Sequence, residues 1–419
     1  MKEQSTIFLY IAKWLAISIV IGVLVGSGSA GFLFALSWAT NYRESHEYLI
    51  YFLGIAGFSV GLIYYYFGKS VEGGNNLIID EIQKPKRVIP FIMAPFVVFG
   101  TVVSHLFGGS AGREGTAVQM GATIADQLVY PFRLKKEDRK ILLIAGVAAG
   151  FSSLFGTPIA GAVFGLEVYI IGRLRYHALF PAFASAIIAD FVARLWHAPH
   201  THYHIGFIPP ISAENLLYSV LAGIVFGVCA LSFSKGIKIL GSFLSKIIKY
   251  PPLKPLVGGI VITGLFLIFG NKYLGLGLPI IQSAFLTELN SYDFALKMLF
   301  TIITLAAGFK GGEVTPLFFI GAALGNALSP IFPELPLGLL AGMGFIAVFA
   351  GAANTPLACI IMGVELFGGE GLTYFAIACV TAYLVSGHSG IYKSQEIGSS
   401  KSNTLAKHKG KRLNDLSNL

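Results

Sequence analysis

Apolar residues run along the chain in long blocks, interrupted by short stretches that are either glycine-rich or charged. The first block, Ile7 to Phe34, is too long for the apolar core of a signal peptide and carries no cleavage pattern, so it predicts a spanning helix. A comparable block runs from about Glu214 to Leu240. At roughly 25–30 residues per helix and connection, the chain has room for about 14–16 such segments. Three breaks fall inside apolar sequence: Gly73-Gly74-Asn75-Asn76-Leu77, Gly112 to Thr116, and Gly311 to Pro316. Each precedes a short helical stretch and so offers free backbone N–H groups at a positive dipole end. Such an end suits an anion. Irregular backbone at membrane depth is tolerated only where it is buried in protein or lines a cavity. In any one break the glycines could serve only close helix packing, but all three together point to a site.

Composition sharpens this picture. Of 419 residues, 55% are hydrophobic and only 12% charged, with mean hydropathy +0.72. An ordinary soluble enzyme carries about a quarter charged residues, so that class is excluded, as are disorder, collagen and coiled coil. The 50 glycines let helices approach closely in lipid. The net charge is +9, and the segment after Tyr392 supplies +4 of it, with Lys393, Lys401, Lys407, Lys409, Lys411 and Arg412 against Glu396 and Asp415. Residues 396–419 therefore read as a basic, loosely ordered cytoplasmic tail. Further basic runs lie at Lys84 to Arg87, Arg133 to Lys140, Arg173 with Arg175, and Lys235 to Lys254. Such loops normally stay cytoplasmic, so the surplus reads as topology and not as nucleic-acid binding. The three cysteines, Cys229, Cys359 and Cys379, are scattered through apolar runs and give neither a disulfide framework nor a metal spacing.

The chain repeats itself. Gly112-Arg113-Glu114-Gly115-Thr116 leads to Gly121-Ala122, and Gly312-Glu313-Val314-Thr315-Pro316 leads to Gly321-Ala322 at the same distance. Thr157-Pro158-Ile159-Ala160 leads to Gly165 and Glu167; Thr355-Pro356-Leu357-Ala358 leads to Gly363 and Glu365. The offsets are 200 and 198 residues, which divides the chain into halves at 1–210 and 211–395. Lys2 precedes the first spanning block, whereas several lysines follow its counterpart, so the halves should run in opposite directions. Secondary transporters use such inverted repeats, with binding at the midplane where broken helices meet. The expected fold is an all-α polytopic membrane protein of that kind.

Two carboxylates lie inside the breaks, Glu114 and Glu313, and an ionisable residue at membrane depth is a functional candidate by default. Either could instead be a structural ion pair, with Arg113 or Lys310. Glu167 and Glu365, at matched places in the repeat, read as structural. His197, His200, His202 and His204 share one loop but complete no ligand motif, so the cluster reads as incidental and no metal is expected. No nucleotide loop or catalytic triad is present, so transport by an ion gradient is expected, with no cofactor and no enzymatic reaction.

Gly112-Arg113-Glu114-Gly115 resembles the signature of the CLC family of chloride channels and anion/proton antiporters. The family's other motifs read here as Gly74-Asn75-Asn76-Leu77-Ile78, Gly312-Glu313-Val314-Thr315-Pro316 and Tyr392, in matching order over residues 7 to 395. Asn75 stands where chloride-handling members have Ser, Thr116 where they have Pro, Glu313 in place of an apolar residue and Val314 in place of Phe. That set is similar to the bacterial fluoride/proton antiporter branch. Val168 stands where many proton-coupled chloride exchangers carry an inner proton-transfer glutamate. The resemblance implies a homodimer in the cell inner membrane that exchanges fluoride for protons. It implies that Glu114 is the external gate and that Asn75, Gly115, Glu313, Val314, Thr315 and Tyr392 surround the anion. An acidic side chain beside a bound anion must either be protonated when fluoride is bound or point away toward a donor such as Thr315. With Val168 at the usual inner proton position the first is favoured, and Glu313 is assigned to the proton cycle. A chloride/proton exchanger, a passive anion channel and an integral-membrane enzyme are the rival readings.

Overall fold

The structure, a computed structural model, describes residues 2–201 and 203–416. Its first eight α-helices are α1 (Lys2–Ser45), α2 (Leu53–Phe67), α3 (Asn75–Gln83), α4 (Met93–Leu106), α5 (Glu114–Gln127), α6 (Lys136–Phe155), α7 (Pro158–Glu167) and α8 (Leu179–Leu195). Eight more follow in the same sequence of long and short: α9 (Ala213–Ile247), α10 (Leu253–Phe269), α11 (Leu278–Ala284), α12 (Asp293–Ala306), α13 (Val314–Leu328), α14 (Leu337–Ala353), α15 (Pro356–Phe367) and α16 (Leu372–Val385). The first spanning block therefore extends beyond the expected Ile7–Phe34 at both ends. α6 is three residues longer than α14 and α13 one longer than α5, which accounts for the offset falling from 200 to 198.

Among the described residues, four stretches are long and apolar enough to cross a membrane, Glu3–Ser45, Glu47–Phe67, Tyr176–Leu195 and Ala213–Ile247. These outer helices bury only part of their apolar surface. At the centre the pattern inverts. Every residue of α14 from Leu339 to Ala353 is buried, as is α6 from Ile141 to Leu154, as expected of helices apolar all round. The helices following the breaks cross these two at very short range. A methyl on Gly321 would stand 2.0 Å from the Gly344 carbonyl oxygen, and one on Gly121 would stand 2.5 Å from that of Gly146. Only glycine permits these approaches.

The halves grip each other through equivalent residues. Glu167, at the end of α7, accepts the Leu357 and Ala358 N–H groups at the start of α15 (3.2 and 2.9 Å). Glu365, on α15, accepts those of Ile159 and Ala160 at the start of α7 (2.9 and 2.7 Å). Both helices open with a proline, which has no N–H to leave unpaired, so each carboxylate caps what its partner helix cannot satisfy internally. The structural reading of these two glutamates fits this exchange.

One expectation is corrected. As far as residue 416 the basic tail does not hang loose: the strand β2 (Glu396–Ile397) pairs in parallel with β1 (Ile170–Ile171), Leu413 is buried against the same patch, and Arg412 meets Asp80 at 2.8 Å. Its apolar residues cover Ile171, while Lys393, Lys407, Lys409 and Lys411 stay exposed and Lys401 turns its ammonium onto the Tyr383 carbonyl at 2.6 Å, so its charge is no obstacle to packing. His202 lies outside the described residues.

Candidate anion site

The second and third breaks meet in the middle of the molecule. Gly112 N–H donates to the Gly312 carbonyl (2.6 Å) and Gly312 N–H to that of Gly112 (2.7 Å), an antiparallel bridge between equivalent residues. From this bridge α5 and α13 start away in their own directions, so two helix N-termini converge on one place. The first loop is pinned by His105, buried between the Thr101 and Ala111 carbonyls (2.8 and 3.0 Å), and by Ser110, whose hydroxyl meets that of Thr301 at 2.9 Å. The Thr101 and Thr116 hydroxyls join α4 to α5 at 2.7 Å.

Glu114, only 1% exposed, turns its carboxylate onto the start of α13. Oε2 accepts the Thr315 N–H (2.9 Å) and the Arg113 N–H (3.0 Å), and Oε1 accepts the Thr315 hydroxyl. The Arg113 guanidinium stands 3.8 Å from Oε1. The carboxylate thus occupies the place at the α13 N-terminus that an anion would take. Pro316 brings no N–H to that terminus, which leaves the Glu313 and Val314 N–H groups as its further donors.

On the other side of the bridge, the space that a side chain at Gly115 would fill is shared. A methyl there would lie 3.1 Å from Asn75 Nδ2, 3.2 Å from Gly312 Cα and 3.8 Å from Glu313 Oε2. Asn75 Oδ1 is buried with no hydrogen-bond partner. Tyr392 is 4% exposed, and its hydroxyl is within electrostatic reach of both Glu313 and Glu114. Glu114, Asn75, Gly115, Glu313, Val314, Thr315 and Tyr392 are therefore brought together, from four separate parts of the chain. Thr315 is engaged by Glu114, so it is not the donor that turns the Glu313 side chain aside. Lys310 does not pair with Glu313 either; its ammonium lies 3.9 Å from the centre of the Tyr64 ring.

A path leads outward from Glu114. A cavity of about 20 Å³ is lined by Glu114, Thr315, Tyr203, Phe318 and Phe345, and it shares Arg113, Thr201 and Leu278 with a vestibule of about 420 Å³. The charged groups of that vestibule are mixed: Arg113, Arg43 paired with Glu44 at 3.1 Å, Lys272 paired with Asp293, and Glu47. His200, whose Nε2 lies 3.1 Å from the Ser153 carbonyl, forms part of its wall. The histidine loop thus has a place in the path, as a wall element, and the described residues include no cluster able to hold a metal. Thr201 and Tyr203 were not legible in advance, since no spacing in the sequence distinguishes them from other loop residues.

Comparison with known proteins agrees with this architecture. A sequence model of the voltage gated chloride channel family matches residues 56–387. A "Chloride/fluoride channel protein" of Pseudomonas syringae pv. tomato is 54% identical over 406 residues, covering 95% of this chain and 90% of that protein. The crystal structure of a CLC-type fluoride/proton antiporter superposes with TM-score 0.90 at 36% identity, covering 93% of this chain and 99% of the other. A slow cyanobacterial Cl−/H+ antiporter superposes with TM-score 0.78 at 21% identity, over 89% and 94% of the two chains, and this likeness speaks to fold alone.

Proposed function

Since this chain belongs to the voltage-gated chloride channel family, we propose that it works as a multi-pass transporter of the bacterial inner membrane, exchanging fluoride for protons. It is a transport protein, not an enzyme. The related proteins carry two different descriptions, a chloride/fluoride channel protein and a fluoride/proton antiporter. The observation that favours antiport is the Glu114 carboxylate, a protonatable group held by three donors at the start of α13. Ionised, it fills the anion path. Protonated, it loses acceptor strength and charge, releases Thr315 and opens the route to the vestibule. A passive pore has no need of such a plug.

Fluoride is small and strongly hydrated, so its site must replace water with short, strong donors. Asn75 Nδ2, the Tyr392 hydroxyl and the N–H groups around Val314 are the donors in place. Glu313 beside them repels an anion when ionised, at a cost of several kcal/mol (order of magnitude) in a low-dielectric site. A protonated Glu313 removes that cost and carries the proton inward, so we assign it to the proton cycle. A homodimer is the assembly the family resemblance implies, and cross-linking in native membranes tests it.

The deciding experiment puts purified protein in liposomes and records fluoride, chloride and proton fluxes side by side. Uphill proton movement driven by a fluoride gradient is the expected result. Fluoride flux without proton movement would make the protein a channel, and equal fluoride and chloride rates would make it a general anion exchanger.

A further inference from the structure

The segment that carries Tyr392 is tied by amide side chains, its own Gln395 among them, to three other elements: α3, the end of α7 and the end of α14. Ile391 N–H donates to the Ala352 carbonyl at 2.9 Å. On the far side of Tyr392, Ser394 N–H donates to Asn76 Oδ1 (3.0 Å), and the Ser394 carbonyl accepts from Gln83 Nε2 (3.0 Å). The same Gln83 nitrogen donates to the Tyr169 carbonyl at 2.8 Å, which joins α3 to the end of α7. Gln395 is wholly buried; its Nε2 donates to the Val168 and Ala353 carbonyls (2.6 and 2.7 Å) and its Oε1 accepts from Asn354 Nδ2 (3.1 Å). Asn354 closes α14 in the left-handed conformation, φ 58°, and donates also to the Ser389 carbonyl at 2.9 Å.

This arrangement bears on the anion because of where its ends lie. Asn75 and Asn76 are neighbours at the start of α3, one aimed at Gly115 and the other holding the backbone two residues beyond Tyr392. The two donor side chains at the anion are thus linked through two residues of α3 and a single hydrogen bond. A donor cage discriminates by size only if its members cannot retreat for a larger ion. We propose that Asn76, Gln83 and Gln395 are positioning residues that fix the Tyr392 hydroxyl relative to the Asn75 amide, and that this rigidity makes the site prefer fluoride over chloride. None of the three carries an ionisable side chain, so the clamp keeps its form whatever the protonation of Glu114 and Glu313.

The inference rests on the fluoride reading above, and the test separates the two. Fluoride and chloride efflux are measured in parallel for the wild type, Asn76→Ala, Gln83→Ala, Gln395→Met and the conservative Asn76→Asp, which keeps an acceptor for Ser394 N–H. A wild type without preference for fluoride removes the underlying reading. With that preference present, each clamp variant is expected to lower the fluoride-to-chloride ratio by roughly threefold to tenfold, the effect of one neutral hydrogen bond, while Asn76→Asp recovers most of it. An unchanged ratio, or both rates falling in proportion, would overturn the inference, since a merely structural role slows both anions alike. Asn76 and Gln83 are only half-buried, so their variants decide the matter even if Gln395→Met fails to fold.

Discussion

The break at Gly112–Thr116 and the break at Gly312–Pro316 share a backbone design and differ in nearly every side chain. In repeat register Arg113 corresponds to Glu313, Glu114 to Val314, Gly115 to Thr315 and Thr116 to Pro316. A cation that lines the vestibule thus has an anion as its counterpart on the side of Asn75 and Tyr392. The carboxylate of the first break reaches across to Thr315 in the second, and Gly115, opposite Thr315, clears the space where Asn75 and Glu313 approach. Symmetric backbone supplies two anion-seeking helix ends, and asymmetric side chains give the pair a direction. A site with the same equipment on both sides would not distinguish inside from outside.

Removing the asymmetry should stop the machine in a graded way. The largest effect is expected from Glu114→Gln, which mimics the protonated form: proton movement should cease while fluoride still passes, read as fluoride flux without pH change in liposomes. Continued uphill proton pumping would remove Glu114 from the role of carrier. Glu313→Gln tests the other member, with exchange slowing on the order of 10²-fold, the weight of a positioned proton-transfer group, and an unaltered fold by circular dichroism. Wild-type rates in this variant would return Glu313 to a structural role. Thr315→Val removes the hydroxyl that ties the two breaks together. Loss of one hydrogen bond to a charged group is worth about 1.5–3 kcal/mol, so uncoupled fluoride leak should rise by roughly tenfold or more; tight coupling in this variant would show that the backbone N–H alone closes the gate.

The smallest effects are expected at the reciprocal caps. Replacing Glu167 or Glu365 by Ala should each cost about 0.5–2 kcal/mol, the range for a lost helix cap. Glu167, 6% exposed, should cost more than the half-buried Glu365. Thermal unfolding in detergent reads both, and equal losses would mean that burial does not set the difference.

Much of this was written in the local pattern. The breaks, the two offsets and the polarity of the lysines follow from short-range chemistry, because a glycine run or a basic loop means the same thing wherever it occurs. Glu114 and Glu313 stood out because a carboxylate in apolar surroundings needs a reason. The donors to Glu114 could not be read in the same way: Thr315 lies 201 residues away and is one threonine among several. Gln83 and Gln395 look like ordinary polar residues at helix and loop ends, and only the fold shows that the second is wholly buried. The tail misled for the opposite reason. Its charge was visible, but the burial of Ile397 and Leu413 depends on a partner, Ile171, more than 200 residues upstream.

The bridge between Gly112 and Gly312 has a consequence for assembly. Each residue gives the other what it receives, and Glu167 and Glu365 do the same with the helix starts they cap. Contacts of this reciprocal kind are what two identical subunits form across a dyad; here the dyad runs through a single polypeptide. The covalent link between the halves then serves stoichiometry more than recognition. A chain cut at Gly206, exposed and with open space around it, should reassemble from two separately translated pieces, and recovery of both by a tag on one would show it. Failure of the pieces to associate would mean that the connection itself guides the halves together. A transporter that survives this cut would be, in effect, a heterodimer of two half-length subunits held by a pseudo-dyad.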